Sequence, residues 1–406
     1  MPAPTITLEH IRAARERIAG AIYVSPCPES PALSELTGSR VFCKLDSLQR
    51  TGSFKERGAR NALLLLGDEQ KKKGVVAASA GNHALALACH GRELGIPVTV
   101  VMPRFAPLVK VSTCRRFGAN VVLHGENFAE AKAKADELAA ADGLTYVHGF
   151  DDPGVIAGQG TAGLELLEQV PGLEAVIVPV GGGGLIAGVS LAVKSLQPQV
   201  RVIGVEAAVM PSFTQALAAG RAVVCPAKPT LADGLATTRM GDNAFALAEK
   251  HVDRLVTVSE EQIALSILRL LELEKSVVEG AAAAPLAALL SGQLPELKRK
   301  TVALLICGGN IDPLVLGRII EVGLAADGRL ARLIATISDR PGGLAHLATI
   351  IAQAGASVQQ ITHDRVFSGP DVSSVRVICD VETRDRQHLQ QLIAALTEQG
   401  IAVRQP

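Results

Sequence analysis

Ala175-Val-Ile-Val-Pro-Val-Gly-Gly-Gly-Gly-Leu-Ile-Ala-Gly188 is the stretch that decides the fold. Its apolar run through Pro179 has the length and composition of a strand covered on both faces. The glycines then turn the chain, and Leu185 to Ser195 resumes with helical periodicity. Strand, glycine turn and helix together form the building unit of an open parallel sheet. The unit recurs on either side. Upstream, strands are predicted at Ser39–Lys44, Val75–Ala78, Val98–Met102 and Val121–Leu123. Helices are predicted at Glu9–Ala21, Gly58–Leu66, His83–Leu94, Pro107–Phe117 and Phe128–Ala141. Downstream, strands follow at Arg201–Glu206 and Val302–Ile306. The alternation predicts right-handed crossovers and an α/β fold with two parallel-sheet domains. A small subdomain is expected over about 40–150, and a large one from 1–40 and 151–325.

After a linker at 326–330 the texture changes. Strands are expected at Leu333–Ile337, Ser357–Thr362, Val372–Asp380 and Ile401–Arg404, with helices at Pro341–Ala354 and Arg384–Gln399. That βαββαβ order over 331–406 is the ferredoxin-like plan.

Composition narrows the function classes. Of 406 residues, 48% are hydrophobic and 20% charged, as in a folded protein of two or three domains. Forty basic and 40 acidic residues cancel, and aromatics make up only 3%, so neither a basic patch nor a base-stacking platform is expected and nucleic acid is disfavoured. The seven cysteines lie singly, without zinc-site spacing, which suits a reducing compartment; no metal centre is expected. The polar N-terminus does not read as a signal peptide, and no apolar run reaches the roughly 18 residues a membrane span needs. A cytoplasmic protein is the expectation.

Several turns carry candidate chemistry. In Thr51-Gly-Ser-Phe-Lys-Glu-Arg-Gly-Ala59 a lysine sits near a helix start among small and apolar neighbours. An isolated lysine is usually a solvated surface group, whereas a desolvated one has a lowered pKa and becomes a competent amine for a Schiff base. Ala78-Ser-Ala-Gly-Asn-His83 opens a helix directly after a strand. Its free N–H groups suit a carboxylate, although Ser79 or Asn82 could simply cap the helix. The glycines at 181–184 suit a phosphate at a helix N-terminus. The same run satisfies G-x-G-x-x-A through Gly182, Gly184 and Ala187, with Glu206 about 20 residues on, so a nicotinamide dehydrogenase stays open on this segment. Cys307-Gly-Gly-Asn310 follows a strand end; the cysteine reads either as a small buried hydrophobe or as a weak donor to a ring nitrogen. Leu231-Ala-Asp-Gly234 and Val278-Glu-Gly-Ala281 are ordinary turn sequences that could supply a wall and a polar contact.

Taken in this order and at these separations, the six motifs resemble the threonine and serine dehydratases of the fold-type II (tryptophan-synthase-beta-like) pyridoxal-phosphate group. The resemblance covers residues 5–325. Residues 330–406, with Ser338-Asp-Arg-Pro-Gly-Gly-Leu344, resemble an ACT domain, a module that commonly binds amino acids. The resemblance implies β-elimination of L-threonine to 2-oxobutanoate and ammonia, and of L-serine to pyruvate and ammonia. It implies pyridoxal 5'-phosphate as cofactor, Lys55 as the cofactor lysine and Cα base, and Phe54 packed by the ring. Asn82 would contact the phenolic oxygen, while Ser79, Ala80, Gly81, Asn82 and His83 would grip the substrate. Gly181, Gly182, Gly183, Gly184 and Leu185 would hold the phosphate. Gly234 would cover one ring face opposite Ala80, Glu279 would lie near the ring edge, and Cys307 would face the ring nitrogen.

Serine racemases, the nearest alternative, carry a serine where this chain has Ala80. They also hold a divalent cation with two carboxylates, of which only Glu206 has a match here; Met210 and Ser212 follow it. A non-catalytic amino-acid-binding regulator is the remaining alternative. For the C-terminal module the resemblance points to Asp339, Pro341, Gly342, Gly343 and Leu344 as the regulatory turn. Isoleucine and valine are the first effector candidates, as befits isoleucine biosynthesis, and a homodimer or homotetramer is expected.

Overall fold

The computed structural model describes residues 6–364 and 373–406. The chain forms two compact units, Met1–Asp312 and Pro313–Pro406. The N-terminal unit holds both expected parallel sheets. The larger has six strands, in the spatial order Glu29–Ser30, Arg40–Leu45, Thr301–Ile306, Ala175–Pro179, Arg201–Ala207 and Arg254–Val258. All neighbours run parallel except the two-residue edge strand. Ala175–Pro179 is buried along its whole length, which explains its unbroken apolar sequence. The smaller sheet orders Asn120–Leu123, Val98–Met102, Val75–Ala78 and Thr145–Tyr146, all parallel.

One strand belongs elsewhere than its sequence neighbours suggest. Arg40–Leu45, placed by sequence with the small subdomain, pairs with Thr301–Ile306 of the large sheet from Arg40↔Thr301 to Leu45↔Ile306. Nothing local signals a partner so far along the chain. The following helix begins at Lys55 and runs to Leu64, three residues ahead of its predicted start at Gly58. It packs against the helices Asn82–Leu94 and Pro153–Gln169. The second contact is backbone to backbone: a methyl on Gly158 would come within 2.6 Å of the Arg57 carbonyl oxygen and the Gly58 Cα.

Between these layers lies a fully internal ion network. Arg57 donates to Asp46 through Nε and Nη2, both at 2.7 Å, and to Glu165 at 2.6 and 2.8 Å. Lys44 donates to Glu165 at 2.5 Å, to the Ser25 carbonyl at 2.6 Å and to Gln169 at 2.9 Å. Two formal positive charges meet two negative ones, and all four side chains are buried. Burial alone would raise the Asp46 carboxyl, but Arg57 and Lys44 outweigh it and hold it below the usual carboxylate range.

The C-terminal unit is an antiparallel sheet in the order Ser357–Asp364, Ser374–Glu382, Leu330–Ser338 and Ala402–Arg404, with helices Gly343–Gln353 and Arg386–Glu398. The βαββαβ order is the predicted one. Leu330–Ser338 alternates buried and exposed residues, as a sheet with one covered face requires. Two details differ from the sequence reading, and one lies beyond the described residues. The helix Pro313–Ala326, placed by sequence within 1–325, groups with this unit and not with the N-terminal one, and it runs into the expected linker. The helix expected from Pro341 starts at Gly343, behind Gly342 at φ 94°, so Pro341 lies ahead of the helix and not in its first turn. Val372, the predicted start of one strand, lies outside the described residues. No helix among the described residues is long and apolar enough to cross a membrane.

Removing one member of a buried ion network strands its partners in a poorly solvating interior. Arg57→Leu is expected to lose about 3–5 kcal/mol of unfolding free energy, read by denaturant titration of the full chain; an unchanged midpoint would show that the network is dispensable.

Candidate active site

The motif turns converge on one cavity of about 230 Å³ in the N-terminal unit. It lies at the carboxyl ends of parallel strands, where α/β sheets bind ligands. Its lining includes Phe54, Lys55, Ser79 to His83, Gly181 to Leu185, Gly234, Glu279 and Cys307, so every residue proposed from sequence for cofactor or substrate is present. The regulatory set Asp339 to Leu344 lies in the other unit.

Lys55 opens the helix Lys55–Leu64, and its Nζ donates to the Gly149 carbonyl at 2.5 Å. Burial pushes this amine down to about 8, against the opposing pull of Cys307 and Glu279. Its Nζ stands 5.1 Å from the centre of the Phe54 ring. The amine is thus a far better nucleophile and base near neutral pH than a surface lysine.

Neighbouring contacts fix this position. Glu56 is buried beside Lys55; it accepts from the Thr51 N–H and lies 3.0 Å from His90 Nε2 on the helix Asn82–Leu94. The turn that delivers Lys55 is therefore tied to the helix that opens at Asn82.

The glycine run is demanded by packing as well as by conformation. Only Gly183 within it has a positive φ, 93°. A methyl on Gly182 would sit 2.3 Å from the Phe150 ring, and one on Gly181 2.6 Å from the Gly234 carbonyl oxygen. The helix Gly184–Leu196 begins here, so its first-turn N–H groups point out of the glycine cradle, as an anion site requires.

Across the cavity Asn82 is held at both ends. Its Nδ2 donates to the Glu279 oxygens at 2.9 and 3.0 Å, and its Oδ1 accepts from Asn310 Nδ2 at 2.9 Å. Burial raises the Glu279 carboxyl in spite of that hydrogen bond. Burial, and then Glu279, raise the Cys307 thiol well above its ordinary value, so it is an uncharged group.

Sequence reasoning missed the segment His148-Gly149-Phe150, which lines the same cavity. It follows the two-residue strand Thr145–Tyr146 and precedes Asp152, whose carboxylate caps the helix Pro153–Gln169. The strand end, glycine and Asp-Pro cap were the available signal. Buried Gln159 was missed as well; its Oε1 accepts from the Gly58 N–H at 3.2 Å. Glu206, considered for a cation or a ribose, caps the helix Ser212–Ala219. Its oxygens accept from the N–H of Phe213 at 2.6 Å and of Thr214 at 3.0 Å, and from the Thr214 hydroxyl at 2.7 Å.

A phosphate cradle, a desolvated amine at its rim and an uncharged thiol fit pyridoxal phosphate. The comparisons with known proteins agree. The model of the family described as "Pyridoxal-phosphate dependent enzyme" matches residues 18–308, and the chain belongs to that family. An L-threonine ammonia-lyase of Thermotoga maritima is 46% identical over 399 residues, 98% of this chain and 99% of that protein. The structure of the processed form of threonine deaminase isoform 2 from Solanum lycopersicum is 36% identical with a TM-score of 0.74, covering 78% of this chain and 92% of that one. Serine racemase from Dictyostelium discoideum is 36% identical with a TM-score of 0.72, covering 76% and 99%.

Because the Gly182 position admits no side chain, Gly182→Ala is expected to displace Phe150 and weaken cofactor retention at least tenfold while the protein stays folded. Equilibrium dialysis followed by absorbance of the bound cofactor checks this; wild-type retention would refute the cradle.

Proposed function

We propose that the chain is an L-threonine ammonia-lyase: it converts L-threonine to 2-oxobutanoate and ammonia, and L-serine to pyruvate and ammonia. The observation that carries this reading is the Lys55 amine, depressed to about 8, sharing one cavity with the glycine cradle and the Ser79–His83 turn. Bound pyridoxal phosphate supplies the electron sink that acidifies the substrate Cα–H. Gly181 to Leu185 would hold its phosphate, and Lys55 would be its covalent anchor. The N–H groups of the Ser79–His83 turn bind the substrate carboxylate at the start of a helix. Lys55, neutral above about pH 8, takes the Cα proton. Asn82 and Glu279, fixed by their mutual hydrogen bonds, would hold the ring edge. Cys307, kept uncharged by burial, would face the ring nitrogen without forcing its protonation, which would favour loss of the β-hydroxyl.

Racemisation is the weaker reading. It needs a proton donor on the face opposite Lys55, and Ala80 supplies only a methyl group there. The C-terminal unit, with its own buried core, is proposed as a regulatory module that senses an amino acid, with isoleucine and valine as first candidates, in a homo-oligomeric enzyme.

Lys55→Ala is expected to lose turnover by about 10²–10⁴-fold or more while remaining folded, and borohydride should fix the cofactor to Lys55 in the wild type. Peptide mapping to any other lysine would overturn the assignment. Side-by-side assays should show 2-oxobutanoate from threonine and pyruvate from serine, with little D-serine; Ala80→Ser should raise the racemised fraction. For the module, isoleucine and valine are titrated against the full chain and against a chain lacking 331–406. Loss of binding outside the active site upon deletion is expected, whereas deletion that alters oligomer size alone would leave the module a dimerisation device.

A further inference from the structure

The residues around the Lys55 amine contain a device that the motifs did not reveal. The amine's acceptor is the carbonyl of Gly149, and that carbonyl belongs to a turn organised by the preceding residue. His148 Nδ1 accepts from the N–H of Asp151 at 3.1 Å and, more loosely, from that of Phe150 at 3.4 Å. A ring nitrogen that accepts carries no proton, so the imidazole hydrogen is on Nε2. The ring is further held edge-on against Phe150, with centroids 4.5 Å apart, and Phe150 in turn fills the space beneath Gly182. Against Gly149 packs His83: a methyl on Gly149 would come 3.2 Å from its ring, and His83 Nε2 lies 3.1 Å from the Val147 carbonyl oxygen. Gly149 therefore lies in a turn held by His148 and packed against His83.

We propose that His148 is a positioning residue for the reaction, its Nδ1 holding the turn that aims the Gly149 carbonyl at Lys55, and that this carbonyl is the acceptor of the lysine's free amine. Electrostatics fits the geometry. The titratable groups facing Lys55 are Cys307, Glu279, His83 and His148. Burial, then the lysine's own charge, push His83 down to about 3 and His148 to about 4; Lys132 adds to the effect on His148 and Asp136 opposes it. Both rings stay neutral at working pH, so His148 keeps the lone pair that the turn needs. Protonated at Nδ1, it would present a donor to two donors and release the turn. A carbonyl that accepts from an ammonium favours the charged amine. Losing its alignment should therefore lower the pH at which Lys55 becomes neutral.

The proposal rests on Lys55 being the reactive amine, but its test is separate from cofactor trapping. In the full-length protein freed of cofactor, the rate at which Lys55 reacts with fluorodinitrobenzene is followed against pH and assigned by peptide mapping. Only the neutral amine reacts, so the midpoint reports its ionisation. Two variants split the functions of the histidine. His148→Phe keeps the ring and removes the acceptor; His148→Asn removes the ring and keeps a side-chain oxygen able to accept from the N–H two residues on. The wild-type midpoint is expected near 8. It should fall by about one unit in His148→Phe and return to the wild-type value in His148→Asn. An unshifted His148→Phe, or a His148→Asn that moves as far, overturns the proposal. Should circular dichroism show that His148→Phe does not fold, His148→Leu takes its place under the same criteria. Borohydride trapping at a lysine other than Lys55 would remove the proposed reactive amine without moving these midpoints, so the two failures are distinguishable.

Discussion

Arg57 is the residue on which the rest of the catalytic unit depends. It stands two positions after Lys55 on the same helix, with both sides of its guanidinium clamped by carboxylates from distant segments, Asp46 and Glu165. Asp46 follows the strand Arg40–Leu45, and Glu165 lies on the helix Pro153–Gln169. The network therefore fixes the lysine-bearing helix to the large sheet on one side and to a helix of the large layer on the other. A buried ion network is costly to form and worth little in net stability, yet very costly to break. Its value here is geometric: bidentate contacts leave Arg57, and the turn before it, with one position.

Charge in the cavity follows from the same dryness. Three basic side chains, Lys55, His83 and His148, face one another, and burial leaves only the lysine able to carry a proton near neutrality. The acidic side is arranged in the opposite sense. Glu279 is raised by burial yet anchored by Asn82, and the Cys307 thiol is kept uncharged. For the role proposed for Lys55 such a wall is useful, because burial, and not a neighbouring charge, brings the pH at which the amine becomes neutral close to the physiological range. At the glycine run side chains have no room, which leaves main-chain donors at the helix start for the phosphate proposed there.

The two units answer to different folding constraints. The catalytic unit is stabilised by parallel strands buried on both faces, with pairings such as Arg40–Leu45 with Thr301–Ile306 across most of its length. The C-terminal unit is antiparallel, half-covered and largely local, with a separate core around Leu333, Leu347, Val377 and Leu392. Its strand Ser357–Asp364 forms one margin of the sheet and is mostly exposed. This self-contained core is what allows a role of its own, regulation, to be proposed for the module.

The sequence by itself determined the α/β alternation, the ferredoxin-like order after residue 330, and the lysine, glycine and Ser79–His83 turns, because each is a local pattern with a local physical cause. Apolar runs bounded by glycine make strands, and a glycine run before a periodic segment makes an anion-binding helix start. Tertiary structure alone decided the rest. Membership of Arg40–Leu45 in the large sheet depends on a partner strand near residue 300. The early start of the lysine helix is secured by Gln159 accepting from Gly58, and the place of Lys55 by the Arg57 network. His148, Gly149 and Phe150 belong to no motif, and their importance exists only once Lys55, Gly182 and His83 have been brought against them. Glu206 shows the reverse: its spacing suggested a ligand, but the fold placed two backbone N–H groups within its reach, and a carboxylate at a helix start takes those first.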